Sequence, residues 1–316
     1  VVAVDAEFIF EKAAFPSCHA STVVESQPAQ FLVAWFGGTD EGAKDVAIWL
    51  SRSDAPGRWS EPEKVADEPG VPCWNPVLFR EKSATLFLFY KAGSSPETWS
   101  GFLRTSKDAG QSWSAPQLLA AGLSGPIKNK PIQLACGRVV SGTSVESYRT
   151  WAAWVETSDD RCATWQRHGP ITVPGENFGV IQPTLFETSG GQLRMLLRAT
   201  QRIGQICSAT SDDKGVTWTP AARTELPNPN SGIDAVRLTD GRIVLCHNPT
   251  HTGRSPLVLS ISRDDGLTWK PGPTLESDPG EYSYPAIIQA QGGQIHVTYT
   301  WKRARVRHWT LEPKEI

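Results

Sequence analysis

The sequence predicts an all-β protein, a single six-bladed β-propeller of four-stranded antiparallel blades spanning residues 1–316. Three observations predict it. The chain carries 27 Gly and 24 Pro in 316 residues, so a breaker falls about every six positions and long helices have no room. It has 13 Trp against one Met, and aromatic residues suit short strands. One eight-residue phrase, Ser-x-Asp-x-Gly-x-Ser/Thr-Trp, also recurs at residues 106–113, 158–165, 211–218 and 262–269, with a degenerate copy ending at Trp59. The five tryptophans are 54, 52, 53 and 51 residues apart, and six such intervals fill the chain.

Each interval divides in the same way. In the fourth, strands are predicted at residues 183–187, 193–199 and 205–210, with another after Trp218 and a turn at 189–191. Four antiparallel strands in about 50 residues make one propeller blade. The sixth interval starts at Pro285, lacks the phrase, and ends at Leu311 after three strands. The opening stretch, residues 1–10, is expected to supply its missing strand. A ring closed by one strand from each end keeps its terminal blades from parting. Within the phrase, Asp accepts bonds from backbone N–H groups, Gly allows φ > 0, and Trp covers the turn. The phrase is therefore a staple between strands three and four and not a catalytic element. Cys162 stands where the other copies have Gly, so that turn is expected to be strained or reshaped.

Composition excludes several classes. A net charge of −2, from 31 basic and 33 acidic residues, gives no basic field for nucleic acid. No apolar run approaches the ~20 residues of a membrane span. No leader pattern opens the chain; Val1 begins what reads as a strand, which leaves cytoplasmic and secreted locations both open. The six Cys form no CxxC pair and no His/Cys ligand spacing. They are read as free thiols, with Cys207 and Cys246 inside apolar runs, and a structural zinc is not expected. With no metal, nucleotide or flavin motif, no cofactor is expected.

Aligning the six intervals places one residue of each at the entrance of its first strand, usually before Pro: His19, Asn75, Lys130, Gln182, Asp234 and Tyr284. First strands line the axis of a propeller, so these six are expected to ring one mouth of it. An imidazole, two amides, an amine, a carboxylate and a phenol suit a polyhydroxylated ligand. They equally suit a tunnel whose polar groups bond one another. The ends of the second strands add Lys91, Glu146, Arg198, His247, Asn248 and Arg303. Trp35, Trp74, Trp99 and Trp301 lie near in sequence; Trp74 and Trp99 are the candidate sugar platforms, and most of the others are blade packing.

The phrase, repeated four times at this period, is identified as the Asp-box, or BNR-repeat, signature of the sialidase superfamily, and the resemblance covers the whole chain. Sialidases hold a carboxylate with three arginines, use a Tyr/Glu pair as nucleophile, and use an Asp as acid/base. Residues 247–254 resemble the segment carrying the third arginine, which falls on Arg254. Glu281-Tyr282-Ser283-Tyr284 is similar to the nucleophile segment, with Tyr282 in that role. Arg198 ends strand two of the fourth interval, where the second arginine belongs. Two matches fail. The opening Arg-Ile-Pro is replaced by Cys18-His19-Ala20-Ser21-Thr22, and the Glu partner of the tyrosine would fall near Val180, with Glu176 and Glu146 out of register. The loop expected to carry the acid/base offers Asp40, Glu41 and Asp45.

Two arginines favour a carboxylate-bearing sugar, sialic or uronic acid. The resemblance implies an exo-acting glycoside hydrolase on such a terminal sugar, although a tyrosine needs a base or a positive field to attack. The chain also resembles propeller lyases of uronate glycans. There, His19 or Tyr282 would move the proton, and Arg198, Arg254 and Lys130 would stabilise an enolate-like intermediate. A glycan-binding propeller without turnover is the third expectation, since the fold transfers more safely than the substrate.

Overall fold

The computed structural model describes residues 5–55 and 57–316. Their strands form six antiparallel sheets, and the fold is an all-β six-bladed propeller with four-stranded blades. The chain divides into two compact units, one holding the segment up to Ser124 and that from Tyr284 onward, the other Gly125–Ser283.

In the first unit, blade one runs Ser17–Gln27, Gln30–Gly38 and Ala47–Ala55, the last paired with both Arg58–Trp59 and Glu63–Ala66. Blade two runs Cys73–Arg80, Leu86–Ala92, Ser100–Ser106 and Gln117–Leu118. Blade six takes Tyr282–Gln289, whose first two residues belong to the second unit, with Ile295–Trp301 and Arg305–Leu311 from the end of the chain. Its outer strand is Asp5–Phe8, antiparallel to the last, with Asp5 opposite Thr310 and Phe8 opposite Arg307. The opening residues thus supply the missing strand.

The second unit holds three blades. Blade three is Ile132–Gln133, Val139–Glu146, Trp151–Ser158 and Gln166–Ile171. Blade four is Val180–Glu187, Leu193–Ala199, Gln205–Ser211 and Ala222–Pro227. Blade five is Asp234–Arg237, Ile243–His247, Leu257–Ser262 and Lys270–Glu276. Blades bury both faces, so their inner strands are almost continuously buried, polar residues included. Leu32, Phe36, Ile48, Leu50, Leu78 and Leu88 form one apolar layer in the first unit, and Val140, Val155, Leu185, Met195 and Leu197 another in the second.

The repeated turn has the geometry its chemistry requires. Asp108 Oδ1 accepts the Ser106 hydroxyl at 2.7 Å and the Ser112 N–H at 2.9 Å, while Ser112 Oγ donates to Oδ2 at 2.5 Å. Gly110 N–H closes the turn on Ser106 Oγ at 2.8 Å. The same four bonds recur around Asp160, Asp213 and Asp264. The hydroxyl bond first, and the N–H second, hold each of these carboxyls down to about 2. Gly110 has φ +86°, and a Cβ there would come within 2.4 Å of Leu32. Cys162 adopts the same left-handed backbone, φ +66°, with its side chain buried. That turn is strained and not reshaped, because the staple bonds persist around a residue with a Cβ.

All six cysteines are free, and only Cys136 is exposed. Among the described residues, no three His, Cys, Asp or Glu side chains are grouped to hold a metal. No helix among them is long and apolar enough to cross a membrane.

Candidate functional site

The first strands do not begin where the sequence places them. In blade four the strand starts at Val180, so Gln182 lies inside it, at a register shift between Ile181 and Thr184. Blade one shifts between His19 and Thr22, and blade two between Trp74 and Val77. At these bulges Ala20, Asn75 and Gln182 have φ of +59°, +39° and +53°; Tyr284 in blade six matches them at +53°. A bulge adds one residue and re-aims a side chain. Asn75, Gln182 and Tyr284 also precede proline, which narrows their backbone further. Non-glycine residues hold such positions only when their surroundings over-determine them, and such strain gathers at functional sites. In blades three and five, Lys130 precedes the short first strand and Asp234 begins it.

In the second unit the axial groups bond one another. Lys130 Nζ donates to Asp234 Oδ2 and to the Ala235 carbonyl, both at 2.9 Å, and Thr184 Oγ1 donates to Asp234 Oδ1 at 2.7 Å. Arg198 is 8% exposed. Its Nε donates to Asn230 Oδ1 at 2.8 Å and its Nη1 to Gln182 Oε1 at 3.1 Å. Both of these acceptors are neutral amides, and they orient the guanidinium. Arg254 instead pairs with Glu281 at 2.8 Å, each residue partly exposed.

Tyr282 is tied through its backbone to Arg254 and to the end of the Arg198 strand. Its N–H donates to the Arg254 carbonyl at 3.0 Å. Its carbonyl accepts Asn248 Nδ2 at 3.1 Å, Asn248 Oδ1 accepts the Ser231 hydroxyl at 2.5 Å, and Asn228 Oδ1 accepts the N–H groups of Ser231 and Ala199, each at 3.3 Å. One hydrogen-bonded path therefore runs from the end of the Arg198 strand to the Tyr282 backbone. The Tyr282 side chain is buried at 1% exposure. Asn248 belongs to this framework. His247 does not: it is buried in its blade, Nε2 bonds Ser260 Oγ at 2.8 Å, and burial pushes it down to about 4.

Of the two carboxylates out of register, Glu176 is engaged by Arg202 at 3.0 Å and Arg223 at 3.3 Å. Glu146 ends its strand opposite Trp151. The carboxylate that accompanies the Arg254–Tyr282 segment is Glu281. Sequence reasoning also passed over Lys128 and Asn129. Lys128 Nζ donates to Asn129 Oδ1 at 2.8 Å and the Ile233 carbonyl at 3.0 Å, and burial pushes its amine down to about 7. Asn129 Nδ2 reaches the Gln182 and Pro183 carbonyls. The signal was local: Lys128 and Lys130 are two apart at a strand entrance.

In the first unit, His19 is 1% exposed and its ring lies 4.2 Å from that of Tyr284, centroid to centroid. Lys91 is fully buried and donates to the Asn75 carbonyl at 3.4 Å. The three acid candidates separate clearly. Asp45 accepts the Thr39 hydroxyl at 2.7 Å and the Thr39 N–H at 3.0 Å, and these bonds hold its carboxyl below the usual range. Glu41 pairs with Arg303. Asp40 is exposed and accepts only a local bond among those resolved, from the Glu41 N–H at 2.8 Å.

The candidate platforms serve as packing. Trp74 is 7% exposed, bonds the Gly93 carbonyl at 2.7 Å, and lies between Phe36 and Trp99 in the apolar layer. Trp35 is fully buried and stacks on Phe10. Trp301 carries the side chains of Arg305 and Lys302 on its ring.

The chain is 25% identical over 232 residues to a sialidase of Bacteroides fragilis, an overlap of 68% of this chain and 42% of that protein. It is 23% identical over 329 aligned positions to a sialidase of Micromonospora viridifaciens, covering 90% of this chain and 50% of the other. The chain thus spans half or less of the length of these curated relatives. Among solved structures it shares its fold with a protein of unknown function from Dyadobacter fermentans, at a TM-score of 0.82 and 18% identity over 99% of this chain and 100% of that one. A model for the BNR repeat-like domain matches residues 29–297, and with it the repeat and the six blades agree: the chain belongs to the BNR repeat-like domain family, among its sialidase-like propellers.

Proposed function

We propose that this propeller is an exo-acting glycoside hydrolase that removes a terminal acidic sugar, sialic or uronic acid. The observation that carries the reading is the bonded framework joining Arg198, Arg254 and Tyr282 through residues 228–231 and Asn248. It joins the end of the Arg198 strand, the Arg254 carbonyl and the Tyr282 backbone within one unit, which supports a shared site for these three residues. The relatives named as sialidases lend support at the level of the family.

In this reading the substrate carboxylate replaces Glu281 on Arg254 and takes a second forked contact from Arg198. An anionic substrate would repel a carboxylate nucleophile, whereas a neutral phenol approaches it without that penalty. The Tyr282 oxygen gives its proton to water and bonds to the anomeric carbon as the glycosidic bond breaks and a general acid protonates the leaving oxygen; water, deprotonated by that acid's conjugate base, then displaces the tyrosine, whose oxygen regains a proton as the free sugar leaves. Asp40 is the acid/base, because Asp45 is held ionised by Thr39 and Glu41 is paired with Arg303.

The adjacent His19 and Tyr284 rings favour a second reading, β-elimination from a uronate with this pair moving the proton. One screen separates the readings. Aryl sialosides, aryl uronides and uronate polysaccharides are incubated with the protein and followed by mass and near-ultraviolet absorbance. Hydrolysis gives a reducing sugar with no new absorbance. An unsaturated product overturns hydrolysis in favour of elimination, and binding without any product overturns both.

A further inference from the structure

The loops beyond Glu146 and Arg198 in the second unit frame a groove that nothing in the clamp uses. It has two lobes of about 500 and about 630 Å³. Both are lined by Gly175, Glu176 and Asn177, so the two lobes adjoin at that loop. Aromatic faces are displayed along it. Tyr148 is 80% exposed and Phe178 40%. Trp151 and Phe178 meet edge to face at 6.1 Å, and the Arg149 guanidinium lies 5.5 Å over the Tyr148 ring.

The walls are held firmly although their tips are exposed. Trp151 N–H donates to the Asn177 carbonyl at 2.9 Å, Thr200 N–H to the Gly179 carbonyl at 3.2 Å, and Thr200 Oγ1 to the Phe178 carbonyl at 3.1 Å. These bonds tie the groove to the residue two positions beyond Arg198. Arg202, two positions further, lines the groove itself. Its charge balance is positive: Arg149, Arg167 and Arg202 line it against the single carboxylate of Glu176, which Arg202 and Arg223 already share.

We infer that this groove is a subsite for the continuing chain of an acidic glycan, binding the sugars beyond the terminal residue held at Arg198 and Arg254. The inference rests on the proposed clamp. Flat aromatic faces match the apolar faces of sugar rings. The surplus guanidinium groups match carboxylates spaced along such a chain. Continuity with the Arg198 strand gives a chain leaving the clamp a direct course into the groove. The protein would then act on a polymer or long oligosaccharide end and not on a small glycoside alone.

The test is affinity electrophoresis in gels containing polygalacturonate, polysialic acid or neutral dextran. One of the two acidic polymers is expected to retard the wild-type protein, and dextran is not; which one does so identifies the acid. Tyr148→Ala and Phe178→Ala are each expected to weaken that retardation about 3- to 10-fold. Both side chains are exposed, and thermal unfolding of each variant should match wild type, which excludes misfolding. Arg202→Gln is expected to reduce the salt sensitivity of binding. Retardation unchanged in both aromatic variants, or absent from both acidic gels, overturns the subsite. Turnover of a small aryl glycoside by the same variants reads the clamp separately: it should remain at the wild-type rate, whereas failure of the clamp reading shows as no turnover by wild type.

Discussion

Arg198 donates to the amides of Asn230 and Gln182, and Arg254 pairs with Glu281. Replacing either by Ala removes charge-assisted bonds worth about 1.5–3 kcal/mol each. kcat/KM on an acidic glycoside is therefore expected to fall about 10- to 150-fold or more, with thermal stability nearly unchanged for the more exposed Arg254. A wild-type rate in Arg254→Ala would remove the carboxylate clamp. The acids behave as a second test. Asp40→Asn is expected to abolish turnover on substrates with poor leaving groups. Asp45→Asn is expected to leave the pH profile in place, because the Asp45 carboxyl serves the Thr39 turn. The reverse outcome in pH–rate profiles would exchange their roles. Arg198, Arg254 and Tyr282 could be singled out because each stands in a recognisable local phrase, Arg198 near the end of a strand, Tyr282 at the start of one and Arg254 in the loop between two. Lys128, Asn129 and Glu281 could not, because burial and pairing depend on residues from other blades or strands.

At the scale of the element, the repeated turn makes a pH-dependent contribution with a definite sign. The four turn carboxyls sit at about 2 against an ordinary 3.8. Their folded values are lowered, so the stabilisation is complete above about pH 4 and is lost as pH falls towards 2. Asp213→Asn is expected to lower the melting temperature at pH 6 and to match wild type near pH 2. A constant difference across that range, followed by circular dichroism, would show that the charge is not what the turn uses. The turn itself was readable, since its bonds lie within seven residues. The bulges were not. Entrance residues such as Asn75 and Gln182 looked like strand starts before proline, yet they lie within longer strands. A bulge is decided by register against the neighbouring strand, and a single strand's sequence does not encode its partner's spacing.

For the whole molecule, two buried histidines set the acid limit. Burial pushes His247 down to about 4 and His296 to about 3. Both stay neutral in the fold, whereas in the unfolded chain an imidazole takes a proton near pH 6.5. Stability is therefore expected to decline as pH falls below about 6.5, by about 2 kcal/mol per imidazole at pH 5. Urea unfolding at pH 7.5 and 5 measures it, and His247→Asn should remove about half of the difference. An unchanged midpoint in wild type would refute the assignment.

The sequence alone determined the number of blades, the strand order within each, the closing strand at the N-terminal end, and the turn that staples each repeat. All of these follow from spacing along the chain and from turn chemistry within a few residues. Tertiary structure decided which polar groups are occupied by one another, which tryptophans are packing, where the left-handed bulges fall, and that Tyr148, Phe178 and Arg202 share a groove. Those outcomes depend on side chains brought together from separate strands, loops and blades, and on the solvent that their packing excludes.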